Sequence, residues 1–274
     1  MTDDSLTLQQ AADELGVHYM TAYRYVRLGL LDAAKRGGTW SVQRSAIEAF
    51  QAGTDRSPVV PGESAPWTGR LEARLVEGDA AGAWGVIDKA MSSGMALDAI
   101  YIELLTPAMV SIGERWNGGE LDIAIEHRAS GIAMRIIGQI GPRFARRGRS
   151  RGAVIITSPA GEHHALPLAM LSDLLRLEGW EVTDLGANLP AASLIHVLND
   201  TPDAVAIGLS ASSPESFAAI SEMCAEIHAA QPDLLVILGG GAIRDREHAR
   251  SLGADEWAAT SGQMSELIEA SLAK

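Results

Sequence analysis

The sequence predicts a multidomain protein of mixed α and α/β class, and three hydrophobic patterns support this. From residue 150 to 274, short apolar runs alternate with helical segments, which predicts a doubly wound parallel sheet of Rossmann-like type. Between residues 69 and 145 the apolar positions follow helical spacing alone, which predicts a four-helix bundle. Residues 1–52 read as helix, turn, helix and hairpin, the layout of a winged helix-turn-helix.

The composition is ordinary for a globular protein and restricts its functional class. Of 274 residues, 47% are hydrophobic and 21% are charged. The single cysteine, Cys224, excludes a disulfide framework and fits a reducing compartment. No signal peptide or long apolar span is present, so we expect a cytoplasmic protein with no membrane segment. A net charge of −13 argues against nonspecific coating of nucleic acid, although a local basic module remains compatible with it.

The first fifty residues contain such a module. Thr7 is a plausible N-cap for a helix that ends near Leu15, and a second helix begins near Met20. A small hairpin is expected between Arg36 and Val42. Between positions 24 and 44 the sequence has five basic residues and one acidic residue, so this part of an acidic chain is basic. The residues are Arg24, Arg27, Lys35, Arg36 and Arg44, with Asp32 as the acid. The pattern predicts a DNA-binding head.

The run LTLQQAADELGVHYMTAYRYVRLGLL resembles the winged helix-turn-helix of MerR and excisionase-like regulators. The resemblance implies operator DNA as a partner. In that geometry seven residues are expected at the DNA, the last two of them in the wing: Tyr19, Thr21, Ala22, Arg24, Tyr25, Arg36 and Thr39. A small helical adaptor with solvated arginines is the alternative.

Residues 53–68 are rich in proline, glycine and serine and are expected to form a linker. In the bundle that follows, Trp116 is expected to end one helix before a glycine pair, and Glu126 and His127 to lie about two turns into the next. Taken alone, this tryptophan reads as a core residue and the Glu-His pair as part of a surface.

In the last domain, strands are expected at 153–157, 180–185, 204–209 and 234–238, with a weak fifth after residue 255. Two histidines, a serine cluster and a glycine triplet follow these strands, at the edge where parallel sheets bind ligands. Glu162 precedes His164 by two positions, a spacing that suits a metal-ligating imidazole oriented by an acid.

The E-x-H pair, the LGANLP turn, the L-S-x-S loop and the GGG loop resemble a cobalamin-binding domain. The resemblance implies that His164 is the lower ligand of cobalt. It also implies that the nucleotide tail of the cofactor lies between the sheet and a helix, where small residues leave room. The cofactor-binding residues expected here are Glu162, His163, His164, Gly186, Asn188, Leu189, Ser210, Ser212, Ser213, Gly239, Gly240 and Gly241. Pro167 departs from the family pattern, which has glycine there.

The combination of W-x9-E-H with such a domain resembles the light-dependent cobalamin repressors of the CarH and LitR kind. The resemblance implies adenosylcobalamin as cofactor, with Trp116 stacked on the adenosyl group and Glu126 and His127 bonded to it. It implies a regulator rather than an enzyme, a homo-oligomer (dimer or tetramer), and light cleavage of the cobalt–carbon bond that changes oligomeric state and operator binding. Asn117 stands where those proteins have a histidine.

Two alternatives remain open from the sequence. A helical cap joined to a cobalamin domain also resembles the corrinoid proteins of methyl transfer, in which cobalt carries a methyl group. A photosensor with an additional chromophore, such as a bilin or haem, is the second alternative, and His163, Asn117 and Pro167 leave room for it.

Overall fold

The structure is a computed structural model, and it describes residues 5–15, 17, 19–27, 31–36, 39–51, 67–146 and 148–273. The chain divides into two compact units, of which the first ends at Ile132 and the second begins at Ala133. No helix in the described ranges combines the length and hydropathy needed to span a membrane.

The amino-terminal part confirms the predicted helix-turn-helix and hairpin. Its elements are β1 (Ser5–Thr7), α1 (Leu8–Leu15), α2 (Tyr19–Arg27), β2 (Ala33–Arg36), β3 (Thr39–Gln43) and α3 (Arg44–Gln51). The Thr7 hydroxyl accepts a hydrogen bond from the Gln10 N–H at 3.3 Å, as expected of a residue that caps a helix. Strand β1 was not predicted. It forms because Ser5 and Leu6 pair with the end of β3, which makes an antiparallel sheet in the order β1-β3-β2.

The next part confirms the predicted bundle. Its elements are α4 (Trp67–Glu77), α5 (Ala80–Ser92), α6 (Leu97–Ala99), a π-helical segment (Ile100–Leu105), α7 (Thr106–Asn117) and α8 (Ile123–Ile140). The third predicted helix is therefore one continuous run of three helical types. Since α4 begins at Trp67, the last two residues of the expected linker are helical, and residues 52–66 lie outside the described part of the chain.

A proline explains the π-helical segment. Pro107 has no N–H to donate to the carbonyl of Glu103, and its ring would crowd that carbonyl in a regular α-helix. The helix widens just before it, so the Thr106 N–H bonds the carbonyl of Tyr101, five residues back. The Glu103 carbonyl instead accepts a hydrogen bond from the Thr68 hydroxyl at 3.2 Å. Tertiary contact thus satisfies the polar group that the proline leaves.

The second unit contains the predicted parallel sheet. Its elements are β4 (Ala153–Thr157), α9 (Leu166–Leu177), β5 (Glu181–Asp184), α10 (Ala191–Asp200), β6 (Ala204–Ser210), α11 (Phe217–Ala230), β7 (Leu235–Gly239), α12 (Arg246–Ser251), β8 (Glu256–Trp257) and α13 (Ser261–Leu272). The strand order is β5-β4-β6-β7-β8, and every pairing is parallel. This order confirms the doubly wound prediction, including the weak fifth strand.

Side chains of the strands alternate between two buried clusters, as the period of a β-strand requires. Ile155 and Ile207 pack with residues of α10 and α11, whereas Val154, Ile156 and Ala206 pack with residues of α9 and α13. Each fully buried aliphatic side chain contributes about 1.5–3 kcal/mol. The two-sided core fixes β4 beside β6, so the loops that leave their carboxyl ends emerge next to each other.

Candidate functional site

The loop between β4 and α9 presents an oriented imidazole. Glu162 is buried, with 1% of its side chain exposed, whereas 58% of the His164 side chain is exposed. The Nδ1 atom of His164 lies 2.5 Å from Oε1 of Glu162. Because an ionised carboxylate only accepts hydrogen bonds, we assign the imidazole proton to Nδ1, which leaves a lone pair on Nε2. No residue in the described part of the chain bonds Nε2, so this nitrogen is available to a metal.

The same carboxylate joins two loops. Oε2 of Glu162 accepts hydrogen bonds from the N–H groups of Ser212 at 2.6 Å and Ser213 at 3.2 Å, both in the loop after β6. Burial by itself raises the pKa of Glu162, but hydrogen bonds from the His164 ring, Ser212 and the His164 N–H outweigh it, so the net pKa lies below its ordinary value. Glu162 is therefore charged at neutral pH, and it links the His164 imidazole to the loop that follows β6.

The loop after β5 forms a third side of this arrangement. Asn188, at φ +61°, accepts a hydrogen bond through Oδ1 from the Gly161 N–H at 2.8 Å. The Leu189 N–H donates to the carbonyl of Ser158 at 2.9 Å, and the Ser158 N–H donates to the carbonyl of Gly186 at 3.3 Å. These bonds bind the loop after β5 to the loop that carries His164.

The glycine triplet that begins with the last residue of β7 is shaped by packing within the protein. A Cβ atom at Gly239 would lie 2.7 Å from the carbonyl oxygen of Ala258. Gly240 has φ +96°, and its Cβ would lie 2.3 Å from the carbonyl oxygen of Ala211. Steric fit inside the protein thus requires glycine at both positions, so the room needed by a nucleotide tail is not the only explanation. Gly241 is exposed.

Most of the predicted cofactor residues of the second unit meet at one edge of the sheet. Glu162, His164, Ser212 and Ser213 share one hydrogen-bond network, and Ser210 is buried at the end of β6. His163 is exposed beside them. Ser158, Gly161 and Ala211 could not be recognised from residue types, because their contribution comes from backbone groups that any residue carries.

In the first unit, Trp116, which taken alone reads as a core residue, is exposed. Trp116 keeps 42% of its surface accessible near the end of α7. Glu126 lies in the first turn of α8, not two turns in, because the helix begins at Ile123. Its carboxylate lies 2.6 Å from Nδ1 of His127 and accepts a hydrogen bond from the Ser130 hydroxyl at 2.6 Å. An exposed indole and an exposed, oriented imidazole are both available to a ligand.

The helix-turn-helix residues have mixed positions. Ala22 is fully buried in the core of its domain, so the expectation that it faces DNA is wrong, since α2 turns that face inward. Tyr19 is half-buried and stacks with Tyr23 at 6.5 Å between ring centroids, and Tyr25 packs on Phe50 at 4.8 Å. The side chains of Thr21, Arg24, Arg36 and Thr39 lie outside what the structure describes.

The donor set fits a metal that arrives with ligands of its own. In the described ranges, His, Cys, Asp and Glu side chains form no group of three that could hold a metal ion. A corrin ring provides the equatorial nitrogens of cobalt, so one imidazole with a free Nε2 is the chemistry that such a metal needs from the protein. His164 meets this requirement.

Family matches cover the chain in three parts. Residues 152–263 match a B12 binding domain family, residues 68–140 match a second B12 binding domain family, and residues 5–55 match a helix-turn-helix domain family. The three ranges correspond to the sheet, the bundle and the amino-terminal module.

Two proteins from Myxococcus xanthus are similar to the chain in sequence. The chain is 32% identical to the HTH-type transcriptional repressor CarA over 169 residues, which are 61% of this chain and 54% of CarA. It is 31% identical to the HTH-type transcriptional repressor CarH over 206 residues, which are 73% of this chain and 66% of CarH. The chain thus spans between half and two thirds of the length of these relatives.

The Methanosarcina barkeri monomethylamine corrinoid protein shares the fold, with a TM-score of 0.64 and 16% identity over 73% of this chain and 96% of that one. With the three family matches and the two repressors, the findings show that the chain belongs to the family of CarH-type cobalamin-binding transcriptional regulators.

Proposed function

We propose that the chain is a DNA-binding transcription regulator that adenosylcobalamin and light control. The observation that carries the proposal is the His164 imidazole, whose proton faces a buried carboxylate and whose Nε2 is free at the ligand-binding edge of the sheet. The helix-turn-helix match and the two repressor relatives support a regulatory role rather than an enzymatic one.

In this proposal His164 would hold the cobalt of the cofactor through Nε2, and Glu162 would keep its ring in the required tautomer and orientation. When bound, adenosylcobalamin supplies a cobalt–carbon bond that light breaks. Trp116, Glu126 and His127 are assigned to the upper ligand through the resemblance, and the exposure of Trp116 and His127 supports this assignment. A ligand shifts a conformational equilibrium only through contacts that differ between the states, so the loss of these contacts is what changes the protein.

The output is a change in DNA binding. Of the residues expected at DNA, Tyr19 and Tyr25 remain candidates among the described side chains, and Ala22 is removed by its burial. A homo-oligomer joins several heads on one operator, which raises the effective concentration of each head for its half-site. A light-driven change of oligomeric state therefore changes operator affinity.

The direct test compares the full chain, loaded with adenosylcobalamin, in the dark and after green light. Its absorption spectrum, its mass in solution and its affinity for a duplex selected from a random library are measured in both states. We expect all three to change on illumination. Identical values before and after light would contradict the switch. Methyl transfer from protein loaded with methylcobalamin would favour the corrinoid methyl-transfer alternative, and red absorption bands would favour a bilin.

Replacing Glu162 by glutamine should weaken cobalamin binding by roughly 10- to 100-fold, because loss of an outer-shell partner of a metal-binding histidine typically has that effect. The amide also accepts the Ser212 and Ser213 hydrogen bonds less strongly than a carboxylate, so the free energy of unfolding should fall by about 1.5–3 kcal/mol. Equilibrium titration and urea unfolding measure the two effects.

The matched control is Glu181→Gln. Glu181 is an exposed acid in β5 of the same sheet, and its replacement changes the net charge by the same amount. If Glu162→Gln kept the wild-type affinity for cobalamin, or if the control lost as much affinity, the Glu162 carboxylate would not be what orients His164.

A further inference from the structure

One stretch of the chain has a charge opposite to that of the whole. The protein has a net charge of −13, yet residues 127–161 contain seven arginines and no acidic residue. Five of these arginines lie within residues 143–151, which we call the arginine segment. Neither the cobalamin site nor the helix-turn-helix accounts for it.

The carboxyl end of the arginine segment is anchored at the edge of the sheet opposite the cofactor loops, where β4 begins. The Arg151 N–H donates to the carbonyl of Gly179 at 3.1 Å, and its guanidinium donates to the carbonyl of Glu178 at 3.1 Å. The same guanidinium lies 4.7 Å from the centroid of the Trp180 ring and pairs with Glu269. Arg151 therefore has a structural role that fixes the position of the segment.

Two of the preceding arginines are presented to solvent. Arg146 and Arg149 are exposed, and no carboxylate in the described part of the chain pairs with either guanidinium. Other arginines of the protein do have acidic partners, as Arg115 does with Glu72 at 2.8 Å and Arg176 with Asp173 at 3.2 Å. The charge of Arg146 and Arg149 is thus left for a partner outside the chain.

We propose that the arginine segment binds the phosphate backbone of DNA, in addition to the helix-turn-helix. The proposal rests on the proposed function, because it requires that the chain binds DNA. The guanidinium fork bonds phosphate oxygens in pairs, and the segment contains arginine without lysine. DNA is favoured over an acidic protein because this chain already carries a DNA-binding head, and an acidic protein needs local positive charge to approach DNA.

The test measures how the affinity of the full chain, loaded with adenosylcobalamin and kept in the dark, depends on salt. The probes are a duplex selected from a random library and a duplex of unrelated sequence. Each phosphate contact contributes roughly −0.9 to the slope of log K against log salt, so Arg146→Gln with Arg149→Gln should make this negative slope shallower by about 1.8. The preference for the selected duplex should stay unchanged, since phosphate contacts carry no sequence information.

The matched control is Arg135→Gln with Arg244→Gln, which removes the same charge from two exposed positions outside the segment. The control should keep the wild-type slope, as should the charge-conserving Arg146→Lys with Arg149→Lys. Thermal unfolding confirms that all variants are folded.

Equal salt slopes in the two glutamine variants would overturn the inference. If, in that case, only Arg146→Gln with Arg149→Gln lost self-association, the arginine segment would instead bind an acidic protein surface. Another outcome is that the segment variant has a shallower salt slope than the control while DNA binding by the wild-type protein does not respond to light. That result would uphold the inference and reject the proposed switch. Failure to bind any duplex would overturn both.

Discussion

His164→Ala is expected to lose cobalamin during gel filtration under conditions in which the wild-type protein stays loaded. The variant removes the nitrogen that the geometry makes available, and no other described side chain takes its place in the network around Glu162. The loss of affinity should exceed the roughly 10- to 100-fold effect of removing an outer-shell partner. Any corrinoid that remains bound should show the absorption spectrum of cobalt without a lower imidazole ligand.

This variant should fold normally, which separates loss of ligand from loss of structure. The His164 side chain is 58% exposed, and Glu162 keeps its hydrogen bonds from Ser212 and Ser213 when the ring is removed. The free energy of unfolding of the apoprotein should therefore change by less than about 1 kcal/mol. His196→Ala, an exposed histidine on α10, is the control and should retain cobalamin. Full retention by His164→Ala would remove the basis of the proposed cofactor site.

The pairing of Glu162 with His164 could be predicted because it is local. They are two positions apart in one loop, and a metal-ligating histidine commonly donates its second ring N–H to such a carboxylate. The hydrogen bond from the Ser212 N–H to Glu162 is different, since the two residues are fifty positions apart in the sequence. It depends on β4 lying directly beside β6, and no residue pattern in either loop specifies that strand order.

Whether a single helical side chain is buried was harder to predict than the local pairing of Glu162 with His164. The resemblance to winged helix-turn-helix regulators places Ala22 at the DNA, yet its methyl group belongs to the core. Trp116 was expected, taken alone, to be buried, and it is exposed. In both cases a single sequence gives the period of the helix but leaves open which face the tertiary fold covers.

Gly240→Ala should destabilise the protein by about 2–5 kcal/mol, although the change adds only one methyl group. Gly240 has φ +96°, and a left-handed conformation costs an alanine about 1–2 kcal/mol. The new Cβ would also lie 2.3 Å from the oxygen and 2.7 Å from the nitrogen of Ala211, and relieving such overlap typically costs about 1–3 kcal/mol. Urea unfolding of the apoprotein measures the sum.

Gly94→Ala separates the two contributions. Gly94 has nearly the same φ, +94°, but no atom lies within 4 Å of the position of its Cβ. It should therefore lose only the conformational part, about 1–2 kcal/mol. An equal loss of stability in both variants would show that steric overlap between the new Cβ and Ala211 contributes nothing.

The steric overlap in Gly240→Ala should also displace backbone groups that belong to the cofactor site. The Ala211 N–H donates to the carbonyl of Gly239 at 3.0 Å, and the next residue, Ser212, donates to Oε2 of Glu162 at 2.6 Å. A shift of Ala211 therefore moves the Ser212 N–H away from the carboxylate that orients His164. We expect Gly240→Ala to weaken cobalamin binding while Gly94→Ala leaves it unchanged, although neither residue supplies a ligand to cobalt. Titration of the two folded variants with cobalamin tests this, and equal affinities would show that the glycine triplet acts on stability alone.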